Sequence, residues 1–152
     1  MEKQDKEKAS ALKKLAVFAG AWSGTGEFLE GAGPGQGARL ETGGEYTWLA
    51  GGFFLLHDGY LDFGAGGLKA HRVIGYDAAA GKYVMNAFDS LGFAREYRGT
   101  VAGDVWTFRG EHERATFTFS QGGDGLETFW ENTPEGGAWT PLCRTRETKA
   151  TS

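Results

Sequence analysis

Two periods divide the chain. From Ser10 to Ala19 the apolar residues Leu12, Leu15, Ala16, Phe18 and Ala19 recur at helical spacing, with Lys13 and Lys14 on the other side. Ser10 is placed to cap the start of this helix and Gly20 to stop its end. The Glu/Lys/Asp run before it, residues 1–9, reads as a solvated charged arm. After Gly20 the period changes to two and stays there. The segments between turn signals read as strands: Trp22–Glu30, Ala38–Leu49, Phe53–Asp62, Leu68–Asp77, Lys82–Asp89, Phe93–Thr100, Val105–Gly110, Arg114–Gln121, Leu126–Asn132 and Ala138–Thr145.

The connections carry turn chemistry: Gly64-Ala-Gly-Gly67, Asp77-Ala-Ala-Ala-Gly81, Ser90-Leu-Gly92, Gly103-Asp104, Gly122-Gly-Asp-Gly125 and Pro134-Glu-Gly-Gly137. Asp77 and Asp89-Ser90 are suited to cap the turns they open. Loops this short make successive strands antiparallel neighbours, and a meander of roughly ten strands hides its edges best by closing on itself. The expected fold is all-β: an antiparallel up-and-down barrel with one N-terminal helix, a single domain over residues 10–148 and a tail at 149–152. A two-sheet sandwich is the alternative.

Alternation also suggests which side chains face inward. Asp58 and Asp62 share a face with Phe54, Leu56 and Tyr60, so Phe53, Leu55, His57, Gly59 and Leu61 form the better interior set. Glu96 and Arg98 share one face of their strand, while Phe93, Arg95 and Tyr97 share the other. Near the end of the chain, Arg144 alternates with Trp139 and Cys143. Leu68–Asp77 and Val105–Gly110 give no clean assignment.

The passage from helix to first strand contains G-x-W-x-G-x-G at Gly20, Trp22, Gly24 and Gly26, which resembles the opening of calycin-type barrels, including the haem-binding nitrobindins. Trp48-Leu-Ala-Gly-Gly-Phe-Phe-Leu-Leu, Val73-Ile-Gly-Tyr-Asp77, Gly81-Lys-Tyr-Val84, Phe88-Asp-Ser-x-Gly92 and the later Tyr97-x-Gly-Thr100 resemble, in that order, the bacterial domain-of-unknown-function 1579 family. The resemblance implies a calycin- or lipocalin-like barrel and brings no reaction with it. Gly24 and Gly26 strip side chains from one face of the first strand, where the sheet bends and another backbone approaches. Trp22 plugs the closed end; the lipocalin-like resemblance implies a late arginine, Arg144 or Arg146, stacked on it.

Composition narrows the classes. Of 152 residues 26 are glycine, yet 11 Phe, 5 Tyr and 5 Trp are spread among them, so glycine punctuates a packed chain rather than a disordered one. The net charge of −4, with basic residues scattered, argues against nucleic acid as a partner. The N-terminal segment fits neither a secretory signal nor a membrane span, and the single cysteine, Cys143, suits a reducing compartment and a small core position. A cytoplasmic protein without membrane association is expected. No metal-binding spacing, phosphate loop or G-x-S-x-G elbow is present.

Haem is the sharpest cofactor the nitrobindin-like opening implies, but no histidine follows His112, the family motif's proline is replaced by Gly31, and only His57 lies on an interior face. No cofactor is therefore expected. A barrel of this size is wide enough for a cavity. Arg95 and Tyr97, about 7 Å apart on one strand face, can hold a carboxylate together. His57 adds a donor, and Met85 and Trp130 complete the expected ligand contacts. Arg95 bridging to a surface acid such as Glu111 is the competing reading. Trp106, Phe108, Phe117, Phe119, Phe129 and Trp130 itself sit at strand spacing, which more often marks core than a binding box. Three functions stand open: binding of a small apolar or amphipathic ligand, an isomerase or cyclase in which His57 or Tyr97 moves a proton, and a haem-binding or purely structural barrel that pairs as a homodimer.

Overall fold

The helical period begins earlier than its apolar spacing implies. In the computed structural model, which describes residues 2–64 and 66–151, helix α1 spans Glu2–Leu15 and continues into a 3-10 turn at Ala16–Phe18. The charged arm is thus helical, and Ser10 lies inside the helix rather than capping it. Good helix formers fill the arm, and Glu2 and Asp5 in the first turn with Lys13 and Lys14 in the last complement the helix dipole. Ala11, Leu12, Leu15 and Phe18 form its buried stripe.

Ten strands follow: β1 Gly20–Phe28, β2 Arg39–Trp48, β3 Leu55–Asp62, β4 Gly67–Asp77, β5 Lys82–Asp89, β6 Ala94–Ala102, β7 Val105–Arg109, β8 Glu113–Phe119, β9 Gly125–Asn132 and β10 Thr140–Lys149. Each pairs antiparallel with its sequence neighbours, and β1 pairs with β10 to close the barrel. The expected barrel is the observed fold, and the sandwich is excluded. The Asp77 and Asp89 turns form as their chemistry requires: Asp77 Oδ1 accepts from the Ala80 amide, and Asp89 Oδ1 from the Leu91 and Phe93 amides. The turn at Gly64–Gly67 includes Ala65, which lies outside the described residues. The glycine-rich segment between β1 and β2 carries 3-10 turns over Glu30–Gly35 and is tied to the sheet where the Leu29 amide donates to Leu142 O at 2.8 Å.

Helix α1 closes one end. The fully buried Phe18 ring stands 4.8–5.6 Å from the rings of Tyr46, Trp106, Phe117 and Phe119. Burying Leu15 and Phe18 contributes roughly 1.5–3 kcal/mol apiece. Trp22 Nε1 donates to Phe18 O at 2.8 Å, and the Tyr83 hydroxyl donates to Ala11 O at 2.7 Å, which fixes the helix to the barrel wall. The cation over Trp22 is Lys149, at 5.4 Å, and not Arg144 or Arg146. Those arginines face outward from β10, where both pair with Glu127. Among the described residues no helix is long and apolar enough to cross a membrane.

Candidate functional site

The site is built on a row of cross-strand partners. Tyr46 on β2 pairs with His57 on β3, His57 with Arg72 on β4, Arg72 with Ala87 on β5, and Ala87 with Arg95 on β6. Partners in such a row point to the same side of a sheet, and these point into the barrel. Two residues beyond Arg95 along β6, Tyr97 is inward and buried.

His57 fits its place because its neighbours are small. A methyl group on either Gly44 or Gly59 would collide with the imidazole, so these two glycines make the slot in which the ring lies. Tyr46 stacks on it at 4.0 Å between centroids. Burial, reinforced by the positive charge of Arg72, lowers the His57 pKa from 6.5 to about 2, so the ring is neutral, and its buried Nδ1 has no hydrogen-bond partner. Burial likewise raises the Tyr46 hydroxyl and the Cys143 thiol to about 12, so neither is a nucleophile at neutral pH.

Gly24 contributes to the site in a way its motif does not reveal. Glu147 on β10 and Thr42 on β2 are both its cross-strand partners, and a Cβ on Gly24 would collide with the β10 backbone at Arg146. Across this side-chain-free position the Thr42 hydroxyl faces the Glu147 carboxylate. Burial raises the Glu147 pKa, while the nearby Arg72 charge and the Thr42 hydroxyl act against that shift.

These groups surround two adjoining cavities. The inner one, about 60 Å³, is bordered by Tyr46, His57, Arg72, Glu147 and the hydroxyls of Thr42, Thr128 and Thr145. The outer one, about 360 Å³, opens at the end of the barrel away from α1, and its walls include Leu61, Leu68, Phe88, Phe93 and Trp130. Arg72, Trp130 and Cys143 border both, and the Arg72 guanidinium lies 5.5 Å from the centre of the Trp130 ring.

The expected contact residues divide accordingly. His57 borders the inner cavity, Trp130 both, and Arg95 and Tyr97 the outer one. Met85 does not reach either cavity; it is fully buried in the core with Ile74 and Tyr97 as its strand partners. Arg95 and Tyr97 do grip one carboxylate between them, but it is the protein's own: Glu113 on β8 takes Arg95 Nε at 3.4 Å on one oxygen and the Tyr97 hydroxyl at 3.2 Å on the other. Arg95 also pairs with Asp89 at 3.4 Å, and Glu111 pairs with His112 instead. Burial and the Glu113 charge hold the Tyr97 hydroxyl protonated. Among the described residues no three His, Cys, Asp or Glu side chains converge as a metal site.

Sequence reasoning missed Arg72, Tyr46, Glu147 and Glu113. Arg72 belongs to an inward alternation of Leu68, Ala70, Arg72, Ile74 and Tyr76, which the adjacent apolar Val73 and Ile74 disguise. Glu147 continues the inward series of Cys143 and Thr145 beyond the expected end of the last strand, and Glu113 precedes the expected start of its strand.

The architecture defines a closed antiparallel β-barrel plugged by a helix at one end and hollow toward the other. Residues 7–136 match the family described as protein of unknown function (DUF1579), and the chain belongs to that family. In fold it is similar to the crystal structure of Rv2717c from M. tuberculosis, with a TM-score of 0.74, 13% identity, and 93% of this chain and 98% of that chain covered. No curated protein matches it.

Proposed function

We propose that this barrel binds a small amphipathic molecule, with its apolar part in the outer cavity and its polar head toward the inner one. The observation that carries this reading is that an open, apolar-walled space of about 360 Å³ and a small polar space of about 60 Å³ share Leu68, Arg72, Trp130 and Cys143 as walls. Small-molecule sites combine apolar walls with a few placed polar groups in this way. The apolar rim supports it too: Phe88 and Phe93 are 51% exposed and Leu91 71%, an unusual concentration of apolar area in water around one opening.

Proton-transfer catalysis has less support. Tyr97 and Arg95 are engaged by Glu113, and a histidine with a pKa near 2 is a weak base. Haem, which a nitrobindin-like opening would bring, fits poorly: the His57 ring is wedged between Gly44, Gly59 and Tyr46, and the space beside it is far smaller than a porphyrin. The buried free thiol of Cys143 is compatible with a reducing, cytoplasmic setting.

Titration calorimetry with 1-octanol tests the reading. Saturable one-to-one binding with a negative heat-capacity change is expected. Leu68→Trp, which fills the outer cavity, should abolish the heat while thermal unfolding stays cooperative. Absence of saturable binding by the natural sequence would refute the proposal.

A further inference from the structure

Arg72 is distinguished from the barrel's other engaged arginines by what it lacks. Arg95 meets Asp89 and Glu113, Arg98 meets Asp77 and Glu96, and Arg114 forms a two-pronged pair with Glu131 at 2.8 and 3.0 Å. Arg72 projects into the interior where the two cavities meet, and no carboxylate among the described residues stands within 4.0 Å of its guanidinium. The Tyr46 hydroxyl lies against it on one side, and its attraction to the Trp130 ring satisfies no further N–H group. A half-buried guanidinium is costly unless its donors are met, and its planar fork matches a carboxylate.

The surroundings specify the anion further. The neutral His57, with an unpartnered Nδ1, and the protonated Tyr46 hydroxyl add donors without adding charge. Among the described residues Arg72 is the one cation bordering this cavity, and burial favours the neutral form of Glu147 beside it, so the site balances a singly charged head and leaves a second charge uncompensated. The inner space of about 60 Å³ suits a compact planar group. The outward path from Arg72 passes Trp130 and Leu68 to the rim.

Resting on the amphipathic-ligand reading above, we infer that the ligand is a monocarboxylate whose head pairs with Arg72 and whose apolar tail lies along Leu68 and Trp130 toward the open end. The head is thus received by Arg72, deep on β4, and not by the Arg95–Tyr97 pair, which Glu113 already occupies.

Calorimetric titration of octanoate against 1-octanol decides the point, using the natural sequence, Arg72→Gln and Arg72→Lys. The natural protein should bind octanoate roughly tenfold or more tightly than 1-octanol. Arg72→Gln should erase that preference by weakening octanoate alone, leaving 1-octanol within about twofold, and Arg72→Lys should restore part of it. Equal affinities in the natural protein, or an undiminished preference in Arg72→Gln, overturn the assignment while leaving the amphipathic-ligand reading intact. If neither compound binds the natural protein, both fall. Should Arg72→Gln melt without a cooperative transition, the natural-protein preference and Arg72→Lys still decide.

Discussion

The two ends of this barrel are made from the same ten strands, and they differ in what covers them. At the closed end α1 and its 3-10 turn deliver Leu15 and Phe18 into a cluster of aromatic rings, and both residues are completely shielded from water. At the open end no element among the described residues performs that task, and Phe63, Phe88, Leu91 and Phe93 stay in contact with solvent around a cavity. Alternation puts apolar side chains inward along the whole length of the strands, but only a residue inserted from outside the sheet fills the axis. Stability therefore concentrates where the helix docks, and binding capacity where it does not reach.

Truncating the plug should break the contrast most severely. Phe18→Ala removes a ring that meets four others and should cost about 3–5 kcal/mol in urea unfolding, yet leave 1-octanol affinity within about twofold. A matching loss of affinity would show that the two ends are not separable. Gly24→Ala acts on the seam between them. Its methyl group meets the β10 backbone, so a loss of about 1–3 kcal/mol is expected, and the spreading of Thr42 from Glu147 should weaken octanoate binding as well. Stability unchanged by this substitution would contradict the close approach of β1 and β10.

A smaller effect is set by pH. His57 has a folded pKa of about 2 against 6.5 when unfolded, so between these values the unfolded chain binds a proton that the folded chain refuses. Stability falls as pH drops below about 6.5 through this group. Glu147, whose folded pKa is raised, contributes in the opposite sense: its share is full below its unfolded value and is lost as pH rises through the folded one. Comparing the natural protein with His57→Asn isolates the histidine. On lowering the pH from about 7 to 5 the natural protein should lose about 2 kcal/mol more than the variant. Parallel pH profiles would show that the ring titrates freely.

Much of the frame could be read from the chain, because strand period, turn glycines and Asp caps are local properties. The bounds of Lys82–Asp89 match those of β5, and His57, Arg95 and Tyr97 face inward as their alternation predicts. What escaped is non-local. Glu113 reaches Tyr97 and Arg95 past the intervening short strand β7, a pairing no sequence spacing announces. Glu147 and Thr42 meet only because both neighbour a residue without a side chain. Met85 carries the inward pattern of a cavity residue yet sits at a level already filled by the plug's aromatic cluster. The arm's helicity rests on charge placement and helix propensity rather than apolar spacing.

A crystal structure of the protein saturated with octanoate measures the central claim most directly. One molecule is expected along the barrel axis, its carboxylate within hydrogen-bonding distance of the Arg72 guanidinium and its tail against Leu68 and Trp130. Octanoate ordered only on the outer surface, with Arg72 still bare at saturating concentration, would contradict it.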